Sequence, residues 1–89
     1  MIRSLRGTVV EYADGELILE VGGVGYQVFV PATAVESLPA KGETASLFIY
    51  THVREDALQL YGFLTELERQ LFEKLIGISG MQRDRKSVV

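Results

Sequence analysis

Residues 16–30, ELILEVGGVGYQVFV, show the clearest strand pattern in this chain. Leu17, Leu19 and Val21 recur at every second position, which is the side-chain period of a β-strand. Glycines then cluster within residues 22–25, and the same alternation resumes after them. This pattern predicts two strands joined by a tight turn, because glycine tolerates the left-handed conformations that such turns require.

The neighbouring segments extend the same pattern of short strands. Arg3 to Tyr12 is rich in β-branched residues and is followed by a predicted turn at Ala13-Asp14-Gly15. Thr44 to Val53 is the longest candidate strand, and Arg54-Glu55-Asp56 form the predicted tip of a hairpin that returns through Ala57 to Phe63. Five strands in about sixty residues predict a mainly β fold, a small closed barrel of the OB type, with a sandwich as the alternative.

One helix is predicted after the barrel. Thr65 and Glu68 have the spacing of a capping box, in which each side chain satisfies a free backbone N–H group at the helix start. Gly77 is placed to end the helix as its C′ residue. Between them lies an apolar stripe at helical spacing, which we expect to pack on the barrel. The stripe consists of Leu67, Leu71, Phe72, Leu75 and Ile76.

Composition describes an ordinary small globular domain. Apolar residues make up 47% of the 89 residues and charged residues 24%, and there is no cysteine. Without cysteine, disulfides, thiolate metal sites and a cysteine nucleophile are excluded. The apolar runs are far shorter than a membrane span, and no signal peptide pattern begins the chain. We therefore expect a cytoplasmic protein.

The charge of the chain is unevenly distributed. The net charge is −3, but residues 82–89 contain three basic residues and one acidic residue. Residues 1–81 hold six basic and eleven acidic side chains, a net charge of −5. Tight nonspecific binding to nucleic acid needs several Lys or Arg side chains aligned on phosphates. The body of this domain therefore lacks the charge for a broad DNA-binding face.

No catalytic or metal-binding constellation is found in the sequence. His52 is the only histidine, so it has no partner for a metal site or a catalytic triad. The glycines at 22, 23 and 25 do not form a phosphate loop, because such a loop requires a following helix and here a strand follows. We expect a protein that is not an enzyme and that uses no cofactor and no metal.

Glu55 and Asp56 are the candidate functional residues. Adjacent carboxylates at a hairpin tip are usually solvated loop charges, and adjacent residues on an extended chain point in opposite directions, which disfavours a metal site. The remaining alternative is a negative point that projects from the barrel for a purpose. The residue pattern alone leaves these two interpretations open.

Several motifs resemble the RuvA family, in the same order and spacing. They are Ile2 to Gly7 (IRSLRG), Glu20 to Tyr26 (EVGGVGY), Val53 to Ala57 (VREDA) and Leu60 to Phe63 (LYGF), followed by Glu68-Arg69 and the predicted helix. The resemblance covers residues 1 to about 80, and the combination of the second, third and fourth motifs is specific.

This resemblance implies a non-catalytic subunit that binds four-way Holliday junctions in DNA recombination, DNA repair and the SOS response. In that family the N-terminal OB-like barrel helps to assemble a homotetramer around the crossover of an open junction. The hairpin tip that matches Glu55 and Asp56 is the family's acidic pin, close to the junction centre. Adhesion comes from two helix-hairpin-helix motifs after the barrel, and a C-terminal domain contacts the RuvB motor ATPase.

The chain departs from the family near its end. The first helix-hairpin-helix motif, typically Gly-Val-Gly-Pro-Lys, is expected at residues 80–84, where this chain has Gly80-Met81-Gln82-Arg83-Asp84. We therefore divide the chain into a barrel domain at 1–64, a helix at 65–80 that leads toward the helix-hairpin-helix domain, and a non-homologous tail at 81–89. Residues 84–89 match a translated sequencing adapter, so one interpretation of the tail is an artefact. A truncated paralogue or a frameshift is the alternative.

Two other function classes stay open. A generic OB-fold binder of single strands would use aromatic side chains as stacking platforms beside basic residues, which are scarce here. The candidate platforms are Tyr26, Phe29, Phe48, Tyr50, Tyr61 and Phe63. A structural module that only self-associates and binds DNA poorly is the other alternative.

Overall fold

A computed structural model describes the backbone of residues 1–88 and the side chains of residues 1–77. The strands are β1 (Ser4–Ala13), β2 (Glu16–Val21), β3 (Val24–Phe29), β4 (Thr44–Arg54) and β5 (Ala57–Phe63). A short 3-10 helix, Ala32–Ser37, connects β3 to β4, and one α-helix, α1 (Glu66–Val88), follows β5. The predicted class, mainly β with one helix, is confirmed.

The five strands form a closed barrel in the order β1-β2-β3-β5-β4. Four of the neighbouring pairs are antiparallel. The barrel closes through the one parallel pair, β3 with β5, where Val28 lies opposite Leu60 and Phe29 opposite Tyr61. This closing contact is short, since it pairs only the last two residues of β3 with β5. The structure therefore confirms the predicted OB-type barrel and excludes the sandwich.

The alternation in residues 16–30 fills the barrel interior. Leu17, Leu19, Val28 and Ile49 are fully buried, and Leu17 lies directly opposite Val28 on the neighbouring strand. Every second side chain of a strand points to the same face, so the alternating residues of each strand share one core. The predicted role of this stretch is confirmed.

Both predicted turns between the first three strands are two-residue hairpins. Asp14 and Gly15 have φ angles of 54° and 79°, and Gly22 and Gly23 have φ angles of 60° and 89°. Positive φ at both central residues matches the right-handed twist of the flanking strands. The glycine cluster connects β2 to β3, which confirms that it is a turn and not a phosphate loop.

Gly7 marks a close approach between β1 and β2. A Cβ atom at this position would lie 2.2 Å from the carbonyl oxygen of Glu20 and 2.7 Å from a methyl group of Val21. Backbone atoms cannot yield as a flexible side chain can, so only glycine allows the two strands to meet here.

The start of α1 shows the Thr65 half of the predicted capping box, and the end of α1 differs from the prediction. The backbone N–H of Glu68 donates a hydrogen bond to Oγ1 of Thr65 at 3.2 Å, which satisfies one free donor of the first turn. The prediction that Gly77 ends the helix is wrong, because α1 continues to Val88. Gly77 is not among the glycines with positive φ. Glycine within a helix costs about 1 kcal/mol relative to alanine and does not interrupt the hydrogen bonding.

The prediction that the apolar stripe packs on the barrel is also wrong for its leucines. Leu67, Leu71 and Leu75 are 65%, 52% and 64% exposed. Phe72 and Ile76 are half-buried, and Phe72 contacts the barrel. Two predictions concern side chains outside those that the structure describes. They are the departure from the helix-hairpin-helix motif at 80–84 and the non-homologous tail at 81–89.

Candidate nucleic-acid interface

The β4–β5 hairpin extends beyond the body of the barrel. Thr51 and Leu60 face each other across the hairpin and are both buried. The Thr51 hydroxyl donates a 2.6 Å hydrogen bond to the carbonyl of Ile2, which closes the barrel at this level. All six side chains from Val53 to Leu58 are exposed. Two cross-strand pairs and the turn therefore project into solvent.

Glu55 and Asp56 form the two-residue turn of this hairpin. The sequence had suggested that Arg54 also belongs to the tip, which is wrong. Arg54 is the last residue of β4 and is paired with Ala57. Neither turn residue has a positive φ, so both carboxylates occupy the turn without backbone strain. The structure thus places the two predicted site residues together at the outermost point of the hairpin.

Among the side chains that the structure describes, the two carboxylates take part in no ion pair. The salt bridges among the described side chains involve Arg3, Arg69, Glu66 and Glu73, all remote in sequence from the tip. Arg54 is the single basic residue in the exposed part of the hairpin, which therefore carries a net charge of −1. A projecting, solvated negative charge of this kind acts on other charges through water and is sensitive to salt.

The described residues around the tip offer no metal site. Among residues 1–77, no group of three His, Asp or Glu side chains is arranged to hold a metal ion. His52 is half-buried on β4, where its ring stacks on Tyr50 with centroids 6.4 Å apart. Its observed contact is packing within the hairpin.

The aromatic side chains pack between the barrel and α1. The Phe72 ring lies 5.0 Å from Tyr61, 5.0 Å from Phe63 and 5.7 Å from Tyr50, measured between centroids. Phe29 joins the same cluster through Tyr61 at 5.5 Å. Four of the six candidate stacking platforms therefore contact the helix or each other. This arrangement disfavours a generic single-strand binder, which needs ring faces open to bases.

Arg69 is a structurally important residue that the sequence analysis missed. It is only 5% exposed, and its guanidinium donates hydrogen bonds to Glu66 at 3.0 and 2.8 Å and to Glu73 at 3.1 Å. Arg3 of the barrel approaches Glu66 to 3.8 Å, which connects the chain start to the helix. The Glu66-Arg69-Glu73 spacing, at i, i+3 and i+7 on one helix face, was the signal in the sequence.

Arg69 also changes the acidity of its partner. The hydrogen bond from the Arg69 guanidinium holds the pKa of the Glu66 carboxyl below its ordinary value, although partial desolvation acts in the opposite direction. The pair itself lies within α1, and the helix contacts the outer face of β4 and β5 through Phe72. Phe72 and Arg69 therefore determine which side of the helix faces the barrel, and the leucines point away.

An apolar groove of about 360 Å³ lies beside this cluster. Its lining is formed by Asp14, Gly15, Phe29, Val30, Pro31, Tyr61, Phe63 and Phe72. A second depression shares Pro31, Phe63 and Phe72 with it and extends along α1 to Leu71 and Leu75. The exposed leucines are thus continuous with an apolar surface of the barrel.

The fold and the hairpin define the class of protein. A closed five-stranded barrel with one flanking helix is an OB-type domain, a fold that binds oligonucleotides in many proteins. Comparison with known families is more specific. The chain belongs to the RuvA N terminal domain family, whose model matches residues 1–62. The resemblance inferred from the sequence motifs is therefore confirmed.

Three relatives that are about 50% identical to this chain share the same protein description. The Holliday junction branch migration complex subunit RuvA of Solibacter usitatus is 54% identical over 81 residues, and that of Halothermothrix orenii is 53% identical. The protein of the same description from Azorhizobium caulinodans is 51% identical. Each match covers 91% of this chain but only 39–41% of the relative. The chain thus spans about two fifths of the length of these proteins.

Within its described residues, α1 is not apolar enough to cross a membrane.

Proposed function

We propose that this domain is the N-terminal barrel of a subunit that binds four-way junction DNA during recombination and repair. In this proposal the barrel supports a homotetramer in the cytoplasm, and Glu55 and Asp56 act as an acidic pin at the crossover. The observation that carries the proposal is the hairpin of a RuvA-family barrel, which projects two carboxylates beyond the body without an ion pair among the described side chains.

The pin acts by repulsion. A carboxylate about 6 Å from a phosphate, in a wet environment of effective dielectric about 40–80, costs roughly 1 kcal/mol before salt screening. In a tetramer this cost would occur at four hairpins around one crossover. An unbranched duplex places backbone across that centre, whereas an open junction leaves it free of backbone. The pin therefore favours binding of junctions because it opposes binding of unbranched duplex.

Attraction to DNA must come from another part of the assembly. Residues 1–81 carry a net charge of −5, so the barrel itself repels phosphates at long range. In the complete protein we assign adhesion to helix-hairpin-helix motifs that follow the barrel, and contact with the RuvB motor ATPase to a C-terminal domain. The barrel contributes geometry and selectivity, without catalysis.

The test removes the pin charges and nothing else. The variant Glu55→Gln with Asp56→Asn keeps the size of both side chains, and both are exposed, so the fold should be retained. Glu11→Gln with Glu36→Gln is the matched control, because it removes two exposed carboxylates elsewhere on the barrel. Each variant is made in a chimera that joins this domain to the helix-hairpin-helix and C-terminal regions of a RuvA relative, which supply adhesion. Fluorescence anisotropy measures the affinity of each chimera for a four-way junction and for linear duplex across a salt series.

We expect the pin variant to bind duplex about tenfold more tightly at low salt, with a smaller gain for the junction. This advantage should shrink as salt reduces the Debye length below about 10 Å. The control should change both affinities by the same factor. Loss of junction binding at every salt concentration would show that the carboxylates make required contacts, and the repulsive pin would be wrong.

The exposed leucines favour a second candidate function, self-association. Leu67, Leu71 and Leu75 form one row on α1 that is continuous with the apolar groove. Exposed apolar surface of this kind commonly marks a protein interface. Sedimentation velocity over a concentration series tests it: Leu67→Ser with Leu75→Ser should abolish any association of the wild-type chain.

A further inference from the structure

The projecting hairpin has one apolar side. Val53 and Leu58 lie directly opposite each other on β4 and β5, and they are 61% and 59% exposed. Both occupy positions of the rows that point into the barrel, two residues beyond the buried Thr51 and Leu60. The interior face of the barrel therefore continues outward along the hairpin, where no described residue covers it.

The charges at the tip restrict what can cover this pair. Glu55 and Asp56 follow Val53 within three residues, so a phosphate or an acidic protein surface is repelled from it. A second hairpin of the same chain would bring two more carboxylates to the contact. An uncharged, flat, apolar surface is not repelled by the two carboxylates and brings no further carboxylates to the contact. The face of a nucleobase is such a surface, with its phosphates displaced to the outside of the duplex.

We propose that Val53 and Leu58 contact the faces of nucleobases that lose a stacking partner at the branch point of a four-way junction. This inference rests on the proposed function, since it needs the hairpin at the crossover. Aliphatic side chains are known to enter weakened base steps and to shield the exposed base. The hairpin then has two complementary effects: its tip repels backbone, and its apolar side lowers the cost of unstacking.

The position of Arg54 is consistent with this arrangement. Successive side chains of a strand point to opposite faces, so Arg54 lies on the other side of β4 from Val53. A guanidinium on that side can reach a neighbouring phosphate without entering the apolar contact. The hairpin therefore separates its charged groups from its apolar pair.

The experiment uses synthetic junctions and a chimera in which this domain, unaltered (wild type) or substituted, is joined to the helix-hairpin-helix and C-terminal regions of a RuvA relative, because adhesion to DNA is assigned to those regions. One junction carries 2-aminopurine, whose fluorescence rises on unstacking, at a base next to the crossover; a second carries it well inside one arm. The test variant is Val53→Thr with Leu58→Thr. The control is Val10→Thr with Val24→Thr, which changes two other exposed apolar strand residues. Unchanged melting temperatures verify that both variants fold.

Bound wild-type chain should raise the crossover signal and leave the arm signal unchanged. The Val53→Thr and Leu58→Thr variant should lose this rise and bind the junction about tenfold more weakly, the effect of losing a few buried methyl groups. The salt dependence of its affinity should stay the same, because no phosphate contact is altered. The control should behave as wild type.

Three results would overturn the inference. The first is a crossover signal that does not rise with bound wild-type chain, and the second is a rise that persists in the Val53→Thr and Leu58→Thr variant. The third is self-association of the wild-type chain that this variant loses, since a second copy would then cover the pair. If the pin variant nevertheless shifts selectivity as expected, the proposed function stands and only the base contact is wrong.

Discussion

Replacement of Leu71 by alanine tests the orientation of α1 against the barrel. The side chain is 52% exposed, and alanine is the better helix former, so the change should lower the free energy of unfolding by about 1 kcal/mol or less. Leu19 provides the internal comparison because it is fully buried in the barrel. Its replacement by alanine leaves a cavity and should cost about 3–5 kcal/mol, a large share of the stability of so small a domain.

Urea unfolding followed by circular dichroism gives both free energies, and thermal melts provide an independent check. A difference of 1 kcal/mol corresponds to about 4–8 °C in Tm for a domain of this size. Leu71→Ala should therefore melt close to the wild-type temperature and Leu19→Ala far below it. A loss at Leu71 as large as at Leu19 would refute the orientation described above. If that loss depended on protein concentration, a second copy would be covering the leucine row.

Two further perturbations test the strand contact at Gly7 and the ion pair on α1. Gly7→Ala should lower the urea midpoint by the equivalent of about 3 kcal/mol or more, because its Cβ would overlap the carbonyl oxygen of Glu20; an unchanged midpoint would contradict the β1–β2 contact. Because the pKa of Glu66 is lower in the folded state, its ionised carboxylate stabilises the fold above about pH 4.3, and this stability is lost as the pH falls through the lower folded-state pKa. Glu66→Gln should therefore make Tm less sensitive to acid. Parallel profiles of Tm against pH for variant and wild type would refute this.

The strands could be predicted from the sequence because local signals agreed with the final fold. Leu17, Leu19 and Val28 alternate with the strand period, and the turns contain the glycines that a two-residue hairpin requires. The number and shortness of the strands favoured a barrel but left a sandwich open, and the β3–β5 pair in the structure decides between them. For these elements the nearest neighbours in the chain determine the conformation, so the pattern is sufficient.

The orientation of α1 could not be predicted in the same way. A periodic row of leucines identifies an apolar face but not the surface that covers it. In this chain the outer faces of β4 and β5 present Tyr50, Tyr61 and Phe63, and Phe72 meets them while Arg69 binds its two carboxylates. The aromatic contacts join residues distant in sequence, and periodicity contains no information about them, whereas the Arg69 pairs are local to α1. The length of α1 was also predicted wrongly, because a glycine such as Gly77 allows a helix to end but does not require it to end.

The candidate site was predictable in position but not in extent. Glu55 and Asp56 were placed at a hairpin tip by the short interval between two strands. Val53 continues the alternating row of Ile49 and Thr51 on β4, but alternation does not show how far the interior of the barrel extends. The level at which the interior stops depends on the other strands and on the hydrogen bond from Thr51 to Ile2. Only the structure shows that Val53 and Leu58 lie beyond that level.

The length of the hairpin has no explanation in the stability of the barrel. The core is complete at the pair of Thr51 with Leu60, and a turn placed there would close the same barrel. The additional residues instead expose two aliphatic side chains and two carboxylates, and each exposed aliphatic forgoes burial worth about 1.5–3 kcal/mol. Isolated two-stranded ribbons are also marginally stable in water. An extension that adds no core and leaves apolar surface uncovered favours contact with something outside the domain, as the proposed function of the hairpin requires.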